Sequence, residues 1–137
     1  MAAISPTAAN IRLGTGATSA TGTAGETLTA FALVYLKAAD GKLWLAINSS
    51  EAAANIVGMT LSAASADGLV SYSPSTAGTH IDSSGALWTD RLTYIVGDVA
   101  GQMMDAADAG SGDYVTVVGV ADGTTSLQWV AASTGIT

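Results

Sequence analysis

The chain of 137 residues has 4 basic and 11 acidic residues, one His and no Cys, and its net charge is −7. Charged residues account for 11% of it, less than half of the usual share of about a quarter, whereas hydrophobic residues reach 49% with only 6% aromatics. This composition argues against a disordered chain and against nucleic-acid binding through a basic face, and it excludes disulfides and thiolate metal sites. The most apolar stretch, residues 31–36, is far shorter than the ~20 residues of a membrane-spanning helix, and the N-terminus lacks the pattern of a signal peptide. We therefore expect one soluble domain with neither nucleic acid nor membrane as a partner, and a sparsely charged surface suited to contact with other subunits.

The first 24 residues differ from the rest of the chain. They contain no acid, have Arg12 as their one base, and are rich in Gly, Thr, Ala and Ser over residues 14–24, so their charge is +1 against −8 beyond. They could form a disordered tail or an arm that becomes ordered on a partner. Ordering about 24 residues costs roughly 24–48 kcal/mol, which requires on the order of 1,000–2,000 Å² of apolar contact. We predict an extended N-terminal arm over 1–24, followed by a β-rich domain over 25–137.

From Gly25 onward the pattern is that of a β protein. The apolar runs Leu33–Leu36 and Leu43–Leu45 flank Asp40-Gly41, a hairpin signal because both residues tolerate positive φ. Asp67-Gly68 and Asp122-Gly123 mark further turns. Helix is expected only as one turn over Ser50–Ala54, with Ser49 or Ser50 as its cap. The remaining strand candidates are Ile56–Leu61, Leu69–Tyr72, Leu92–Val96, Tyr114–Val120 and Leu127–Val130, which together predict an all-β fold, a compact β-barrel or β-sandwich-like domain.

An internal repeat with an offset near 60 residues supports this prediction. Residues 25–36 align with 85–95, residues 39–46 with 100–106, and residues 56–59 with 117–120, with small insertions in predicted turns. Each unit has the order strand, turn, strand, loop and a strand with Val-Gly. Chance similarity in an Ala- and Gly-rich chain is the alternative. We predict two related β units packed as one domain.

Few residues suggest chemistry. His80 has no second His or Cys with which to form a zinc site or an imidazole acid–base pair. Asp105, Asp108 and Asp113 lack the spacing of a calcium loop, so turn and capping roles are expected for them. Asp90 and Asp98 could face each other as an acid pair, but no aromatic groove accompanies them. We therefore expect no catalytic residue, no metal ligand, no cofactor and no enzyme activity.

The tryptophans are candidates for core and interface positions. Trp44 and Trp129 lie within strand patterns and are expected in the core. Trp88, between Gly85 and Asp90, is the better candidate for a subunit interface. Arg91 and Tyr72 are the other interface candidates.

The order of these motifs resembles that of the small decoration (cement) proteins of tailed-bacteriophage capsids. The resemblance covers roughly residues 25–130. In the first half it includes Leu33-Val-Tyr-Leu36, Asp40-Gly41-Lys42, Ala46, Ile56-Val-Gly-Met-Thr-Leu61, Ala64 and Asp67-Gly68. In the second half it includes Gly101-Gln-Met-Met104, Asp108, Ser111-Gly-Asp-Tyr-Val-Thr-Val-Val-Gly-Val-Ala121 and Ser126-Leu127.

This resemblance implies a β-tulip-type domain that follows an extended arm. It implies a structural virion protein, made in the host cytoplasm, that binds the outer surface of an assembled capsid and bridges subunits of the major capsid protein. Such proteins are commonly trimers and have no catalytic residues. Arm residues Ile4, Pro6, Ile11 and Leu13 would make apolar contacts with the shell, and Arg12 would pair with a shell carboxylate. The alternative function is a virion fibre or a receptor- or glycan-binding adhesin, and a small hydrolase is a third class that the spacing of the acids does not favour.

Overall fold

The computed structural model describes residues 11–14, 16, 18–83 and 87–136, and this part of the chain is almost entirely β. One helical turn, α1 (Glu51–Ala54), and a 3₁₀ turn at Ala106–Asp108 complete it. The strands in the described part are β1 (Ile11–Leu13), β2 (Ala20–Thr23), β3 (Leu33–Lys37), β4 (Lys42–Leu45), β5 (Ile56–Thr60), β6 (Leu69–Pro74), β7 (His80–Ser83), β8 (Thr93–Val96), β9 (Met103–Asp105), β10 (Tyr114–Ala121) and β11 (Ser126–Ile136).

The strands form two antiparallel sheets. Sheet I has the order β2-β6-β5-β3-β4, and sheet II has the order β1-β7-β11-β10-β8-β9. The predicted all-β class is confirmed, and the two sheets pack as a sandwich-like domain. The three Asp-Gly pairs each lie in a connection between consecutive strands that pair with each other: β3–β4, β5–β6 and β10–β11.

Sheet I curves until its two edges approach each other. A single parallel bridge joins Ala24, just after β2, to Leu43 in β4. The Gly25 N–H then donates to the Leu43 carbonyl (2.8 Å), and the Leu45 N–H donates to the Glu26 carboxylate (3.0 Å). Within the described residues no continuous ladder joins β2 to β4, so the sandwich alternative holds and the barrel does not close.

The two sheets have the same strand order. In chain order, sheet I consists of β2 to β6, and its spatial order is first, fifth, fourth, second, third. Strands β7 to β11 have the identical spatial order in sheet II, and β1 is added beyond β7. The predicted repeat of the amino-acid sequence stays a prediction, but each of its halves lies within one sheet.

Both sheets also contain an irregularity beside a glycine. The register shifts at Val34/Tyr35 where β3 meets β5, and at Val117/Gly119 where β10 meets β8. A Cβ at Gly58 would lie 2.1 Å from the Ser73 carbonyl oxygen, and one at Gly119 would lie 2.2 Å from that of Gln128. Only glycine allows the neighbouring backbone to approach this closely.

Two apolar clusters stabilise the fold. The larger one combines side chains of both sheets and is the core between them; its largest members include Trp129, Trp88, Tyr94, Met59, Ile81 and Leu127. The smaller one belongs to sheet I and its connections, and contains Ala24, Leu28, Val34, Leu43 and Val70. Burial of side chains of this size stabilises by about 1.5–3 kcal/mol each, which supplies the main favourable term in a chain with few ion pairs.

The predicted turns are present, with a different geometry. In each Asp-Gly pair only one residue has positive φ: Gly41 (68°), Asp67 (67°) and Gly123 (85°). The Gly41 N–H donates to the Lys37 carbonyl (2.8 Å) across the β3–β4 turn. The β3–β4 turn therefore has four residues, of which the last, Gly41, has positive φ. The predicted two-residue turn would need positive φ at both Asp40 and Gly41.

The predicted helical turn is present as α1. Ser50 is its N-cap, with extended backbone, and its hydroxyl accepts the Ala53 N–H (3.2 Å). Asn55 ends the turn, and β5 begins at the next residue. The sequence therefore located this element and its cap.

Part of the predicted arm belongs to the sheets. Residues 11–13 are β1 in sheet II, and residues 20–23 are β2 in sheet I. The division at residue 24 therefore does not coincide with the start of the β structure. Residues 1–10, with Ile4 and Pro6, lie outside the described residues.

Candidate interaction surfaces

The three remaining arm candidates, Ile11, Arg12 and Leu13, form the edge strand β1. Their backbones pair with Ser83, Asp82 and Ile81 of β7, and the following Gly14 N–H donates to the His80 carbonyl (3.0 Å). The Leu13 side chain is 38% exposed. The backbone of residues 11–13 is therefore held in sheet II by pairing with β7.

The surface beside β1 contains His80, Asp82, Asp122 and Ser126. The Ser126 hydroxyl donates to Asp82 Oδ1 (2.7 Å), and His80 Nε2 lies 3.5 Å from Asp122 Oδ2. Among these four side chains no hydrogen bond joins the imidazole to the hydroxyl, so they do not form a serine–histidine relay. The contacts tie β7 to β11 and to the turn before it.

A second polar group lies at the β3–β4 turn. The Lys37 ammonium lies 4.2 Å from the centre of the Trp44 ring, and the Trp44 indole N–H donates to Asp40 Oδ2 (3.1 Å). The Asp40 carboxylate also accepts the Lys42 backbone N–H (3.0 Å), and the Lys42 ammonium pairs with Asp67. These contacts engage both lysines within the chain.

The pKa values of two of these groups respond to the contacts. The hydrogen bond from the Lys42 backbone N–H is the main reason that the pKa of Asp40 is lowered, with the Trp44 N–H and both lysines assisting. The hydrogen bond to Asp67 raises the pKa of Lys42, and the attraction between their charges adds to it. Both shifts favour the charged forms and stabilise the turn.

The structure corrects the prediction for Trp88. Its side chain is only 3% exposed and packs in the core between the sheets, where the indole Nε1 lies 3.4 Å from Met103 Sδ. Trp88 is therefore a core residue and does not form a surface contact. Trp129 lies in the core as predicted, whereas Trp44 is partly exposed at the β3–β4 turn.

The other two interface candidates have different surroundings. Tyr72 is half-buried and packs against the cluster of sheet I. Arg91 is 91% exposed, and its Nε lies 3.9 Å from Asp90 Oδ2. Of the three candidates, Arg91 has the most exposed side chain.

The acidic residues have the structural roles expected for most of them. Asp105 Oδ1 accepts the Ala107 N–H (2.9 Å) at the 3₁₀ turn, and Asp113 Oδ2 accepts the Gly110 N–H (2.7 Å). Asp90 precedes β8 and Asp98 follows it, so they lie at opposite ends of the strand, and the suggestion that they face each other is wrong. In the part of the chain that the structure describes, no group of three His, Cys, Asp or Glu side chains could hold a metal ion.

Apolar side chains are exposed at several points on the surface. The most exposed is Leu69 (74%) at the start of β6, followed by Leu36 in β3 and Val99 in the β8–β9 turn. Their exposure was not predictable from the sequence, since a leucine inside a strand pattern is usually buried. None of the helices among the described residues is long and apolar enough to cross a membrane.

No protein-family model matches the chain, and no curated protein is significantly similar to it. The resemblance to capsid decoration proteins therefore remains a prediction from the residues quoted above.

Proposed function

We propose that this chain is a structural virion protein that binds the outer surface of an assembled tailed-phage capsid and bridges neighbouring subunits of the major capsid protein. The observation that supports it best is the place of the resembling residues in the fold. Ile56–Thr60 is β5, within sheet I, Tyr114–Ala121 is β10, within sheet II, and Asp40-Gly41 closes the β3–β4 turn. The resemblance thus involves the framework of both sheets.

The surface composition supports a protein partner. Charged residues make up 11% of the chain, and Leu69 and Leu36 expose more than half of their area. Sparse charge and exposed aliphatic side chains reduce the desolvation cost of a protein–protein contact. An outer capsid surface offers such a partner in many identical copies.

An oligomer would allow weak contacts to act together. Several footprints on neighbouring capsid subunits are engaged at once, so that the second and third bind at high effective concentration. The resemblance implies a trimer. Bridging in this way resists separation of the shell subunits without any single strong contact.

The N-terminal segment is the proposed shell-binding element. Residues 1–10 precede the edge strand β1 in the chain, and ten extended residues span at most about 36 Å. Ile4 and Pro6 would supply apolar contact. Arg12 would add an ion pair with a shell carboxylate, a contact that contributes only about 0–1 kcal/mol when exposed.

Co-sedimentation with empty shells tests the proposal. The shells are those of the phage that encodes the chain, assembled from the major capsid protein without it. Wild-type protein should pellet with them at a fixed stoichiometry. A variant lacking residues 2–10 should stay in the supernatant, Ile4→Ala should bind more weakly, and the matched control Thr7→Ala should bind as wild type.

The possible results bear on different parts of the proposal. Absence of wild-type protein from the pellet would rule out shell binding. Equal binding by the variant lacking residues 2–10 would remove the role of this segment. Binding to a glycan array without binding to shells would favour the adhesin alternative.

A further inference from the structure

Three Asp-Gly pairs lie in turns of this chain, at residues 40–41, 67–68 and 122–123. In such a pair the backbone nitrogen of the glycine can attack the side-chain carboxyl carbon of the aspartate and close a succinimide ring. Glycine favours this reaction because it has no Cβ beside the attacking nitrogen. A base that takes the proton of the glycine N–H, and an acid that protonates the leaving carboxylate oxygen, would accelerate it.

The pair Asp122-Gly123, in the β10–β11 turn, has a candidate for each of these groups. The Gly123 N–H donates to Asp90 Oδ1 (2.8 Å), so a carboxylate lies against the proton that must be removed. The other oxygen of Asp90, Oδ2, is the one that faces Arg91 (3.9 Å). His80 Nε2 lies 3.5 Å from Asp122 Oδ2, where a protonated imidazole can supply a proton to the leaving oxygen.

The β10–β11 turn leaves room for the ring. Gly123 has φ 85°, and apart from its chain neighbours no atom lies within 4 Å of the position that a Cβ would take. The Asp122 side chain is 74% exposed, so water can leave and return. A hydrogen bond from an amide N–H lies near the peptide plane, whereas the nitrogen attacks from above or below that plane. Asp90 can therefore take the proton without covering the attacking face of the nitrogen.

The other two Asp-Gly pairs have no base at the glycine nitrogen. The Gly41 N–H donates to the Lys37 carbonyl (2.8 Å). The Gly68 N–H donates to the Ser65 carbonyl (2.9 Å). A carbonyl oxygen accepts a hydrogen bond but is far too weak a base to remove the proton. The arrangement of base and acid thus distinguishes the pair at 122–123 from the other two.

We propose that Asp122 and Gly123 form a succinimide within the folded chain, with Asp90 as the general base and His80 as the general acid. The Gly123 nitrogen forms a bond to Asp122 Cγ, and its proton passes to Asp90 Oδ1. The bond between Cγ and Oδ2 breaks. Oδ2 leaves as water, with one proton from His80 and one that Asp90 returns through solvent. Asp90 ends as a carboxylate, and His80 regains its proton from solvent.

Hydrolysis completes the modification. Water opens the ring at one of its two carbonyl carbons and restores either aspartate or isoaspartate, in which the main chain runs through the former side chain. Isoaspartate adds one backbone carbon to the β10–β11 turn, while the long ladder between β10 and β11 holds the strands on both sides of it. The reaction needs neither a shell nor a second copy of the chain, so it goes beyond the proposed capsid binding.

Peptide mapping of the full chain measures the reaction at each pair. Trypsin cleaves after Lys42 and Arg91, which places the three pairs in separate peptides. After incubation of the folded chain at neutral pH, mass spectrometry should find the succinimide, lighter by one water, and isoaspartate at Asp122. Both should form at least ~10-fold faster there than at Asp67. In urea, which separates the base and the acid from the turn, Asp122 and Asp67 should react at similar rates.

Four variants test the roles of the two groups. Asp90→Asn keeps an oxygen acceptor for the Gly123 N–H without a base and should slow the reaction at Asp122 at least ~10-fold. His80→Gln removes the acid and should also slow it. Asp98→Asn makes the same change in net charge at the other end of β8 and should react as wild type. Asp90→Ala should react slowly as well, whereas it would react faster if the hydrogen bond only protected the nitrogen.

The rate at Asp67 in each variant shows whether the fold is intact, since unfolding would change it. Equal rates at Asp122 and Asp67 in the folded wild type would overturn the inference. So would an Asp90→Asn variant as fast as wild type, an Asp90→Ala variant faster than wild type, or an Asp98→Asn variant slowed as much as Asp90→Asn. Shell binding takes no part in this measurement, so the two proposals are tested separately.

Discussion

Thr60 in sheet I and Ala121 in sheet II occupy equivalent places, because the Thr60 carbonyl accepts the Phe31 N–H and the Ala121 carbonyl accepts the Arg91 N–H. The turns that contain Phe31 and Arg91 are nevertheless completed by different hydrogen bonds. In sheet II the Leu92 N–H reaches the Thr89 carbonyl directly. In sheet I the buried Thr60 hydroxyl lies between the corresponding groups: it accepts the Ala32 N–H (2.9 Å) and donates to the Thr29 carbonyl (2.7 Å). The hydroxyl thus replaces a backbone hydrogen bond.

Thr60→Val should therefore destabilise the chain by about 1–3 kcal/mol, because the buried Ala32 N–H loses its acceptor. Thr60→Ser keeps the hydroxyl, loses one methyl group, and should be less destabilised. Urea unfolding of the three proteins measures the difference. A valine variant as stable as wild type, or a serine variant less stable than the valine variant, would contradict this role.

The close approach at Gly58 leads to a second prediction. Gly58→Ala places a methyl group 2.1 Å from the Ser73 carbonyl oxygen and should cost about 3 kcal/mol or more, since backbone must move. Gly78→Ala is the control: its φ is 90° but no atom lies within 4 Å of the added Cβ, so only the backbone conformation costs, by about 1–2 kcal/mol. In denaturant unfolding, Gly58→Ala should have a much lower free energy of unfolding than Gly78→Ala. The reverse order would contradict the close approach of Gly58 to the Ser73 carbonyl oxygen.

The charged groups at the β3–β4 turn predict a dependence of stability on pH. Because the pKa of Asp40 is lowered in the folded chain, its contribution is present above the ordinary pKa of an aspartate and is lost as pH falls through the folded pKa. The pKa of Lys42 is raised, so its contribution is present below the ordinary lysine value and is lost as pH rises through the higher folded value. The stabilising contributions of Asp40 and Lys42 are therefore both present between about pH 5 and 9.

Asp40→Asn keeps an acceptor for the Lys42 N–H but does not titrate. Below about pH 4 the variant should lose less stability than wild type, because the remaining acids are common to both proteins. Urea unfolding at a series of pH values measures the difference. A wild-type loss equal to that of the variant across this range would show that Asp40 does not contribute.

At the level of secondary-structure elements, β1 begins where the N-terminal segment, residues 1–10, ends. Deleting residues 2–10 leaves every described strand intact and should cost less stability than a deletion that also removes β1. Deleting residues 2–20 removes β1 and the first residue of β2, exposes the edge of β7, and should cost on the order of 2 kcal/mol or more. Melting curves of both deletions check this, and equal melting temperatures would show that β1 contributes nothing.

The elements with strong apolar or aromatic patterns were predictable from the sequence. Strands β3, β4, β5, β6, β8, β10 and β11 contain the predicted runs, and Ser50 caps α1 as expected. The strands that were missed, β1, β2 and β7, have three or four residues each: β2 consists of Ala, Thr and Gly, β7 is mostly polar with one acid, and β1 falls in a stretch without a clear period. Strand β9 was indicated only by the repeat, which aligns it with β4. These segments are strands because neighbouring strands supply their backbone hydrogen bonds. The β propensity of the residues themselves does not reveal such a neighbour.

The candidate surface residues were harder to predict. Trp88 follows a Gly-containing segment and precedes Asp90, a pattern typical of a loop, but its ring enters the core between the sheets. Whether a tryptophan in a connection points inward depends on which strands lie beneath it, and that follows from strand order. The positive φ of Arg91 (65°) could not be predicted from the sequence either. The equivalent residue of sheet I, Phe31, also has positive φ (60°), and neither Arg nor Phe is a residue type that favours this conformation.

For the whole molecule, the two sheets differ in charge, and this difference does not follow the division at residue 24 that was predicted from the sequence. Sheet II and its connections include most of the acids, whereas sheet I has its own second apolar cluster and the two lysines of the β3–β4 turn. Sheet I and its connections, residues 20–77, have two Lys against four acids and a net charge of only −2. Sheet II and its connections, residues 78–137, have one Arg against seven Asp and a net charge of −6.

Binding of this chain to the outer surface of a capsid can be observed directly by imaging reconstituted particles. Purified chain is added to empty shells that lack it, and the particles are reconstructed from electron micrographs. If the chain bridges capsid subunits, new density should appear on the outer surface at repeated lattice positions, with each copy or oligomer contacting at least two capsid subunits. Density confined to the tail or to a single capsid subunit, or no added density at saturating protein, would contradict it.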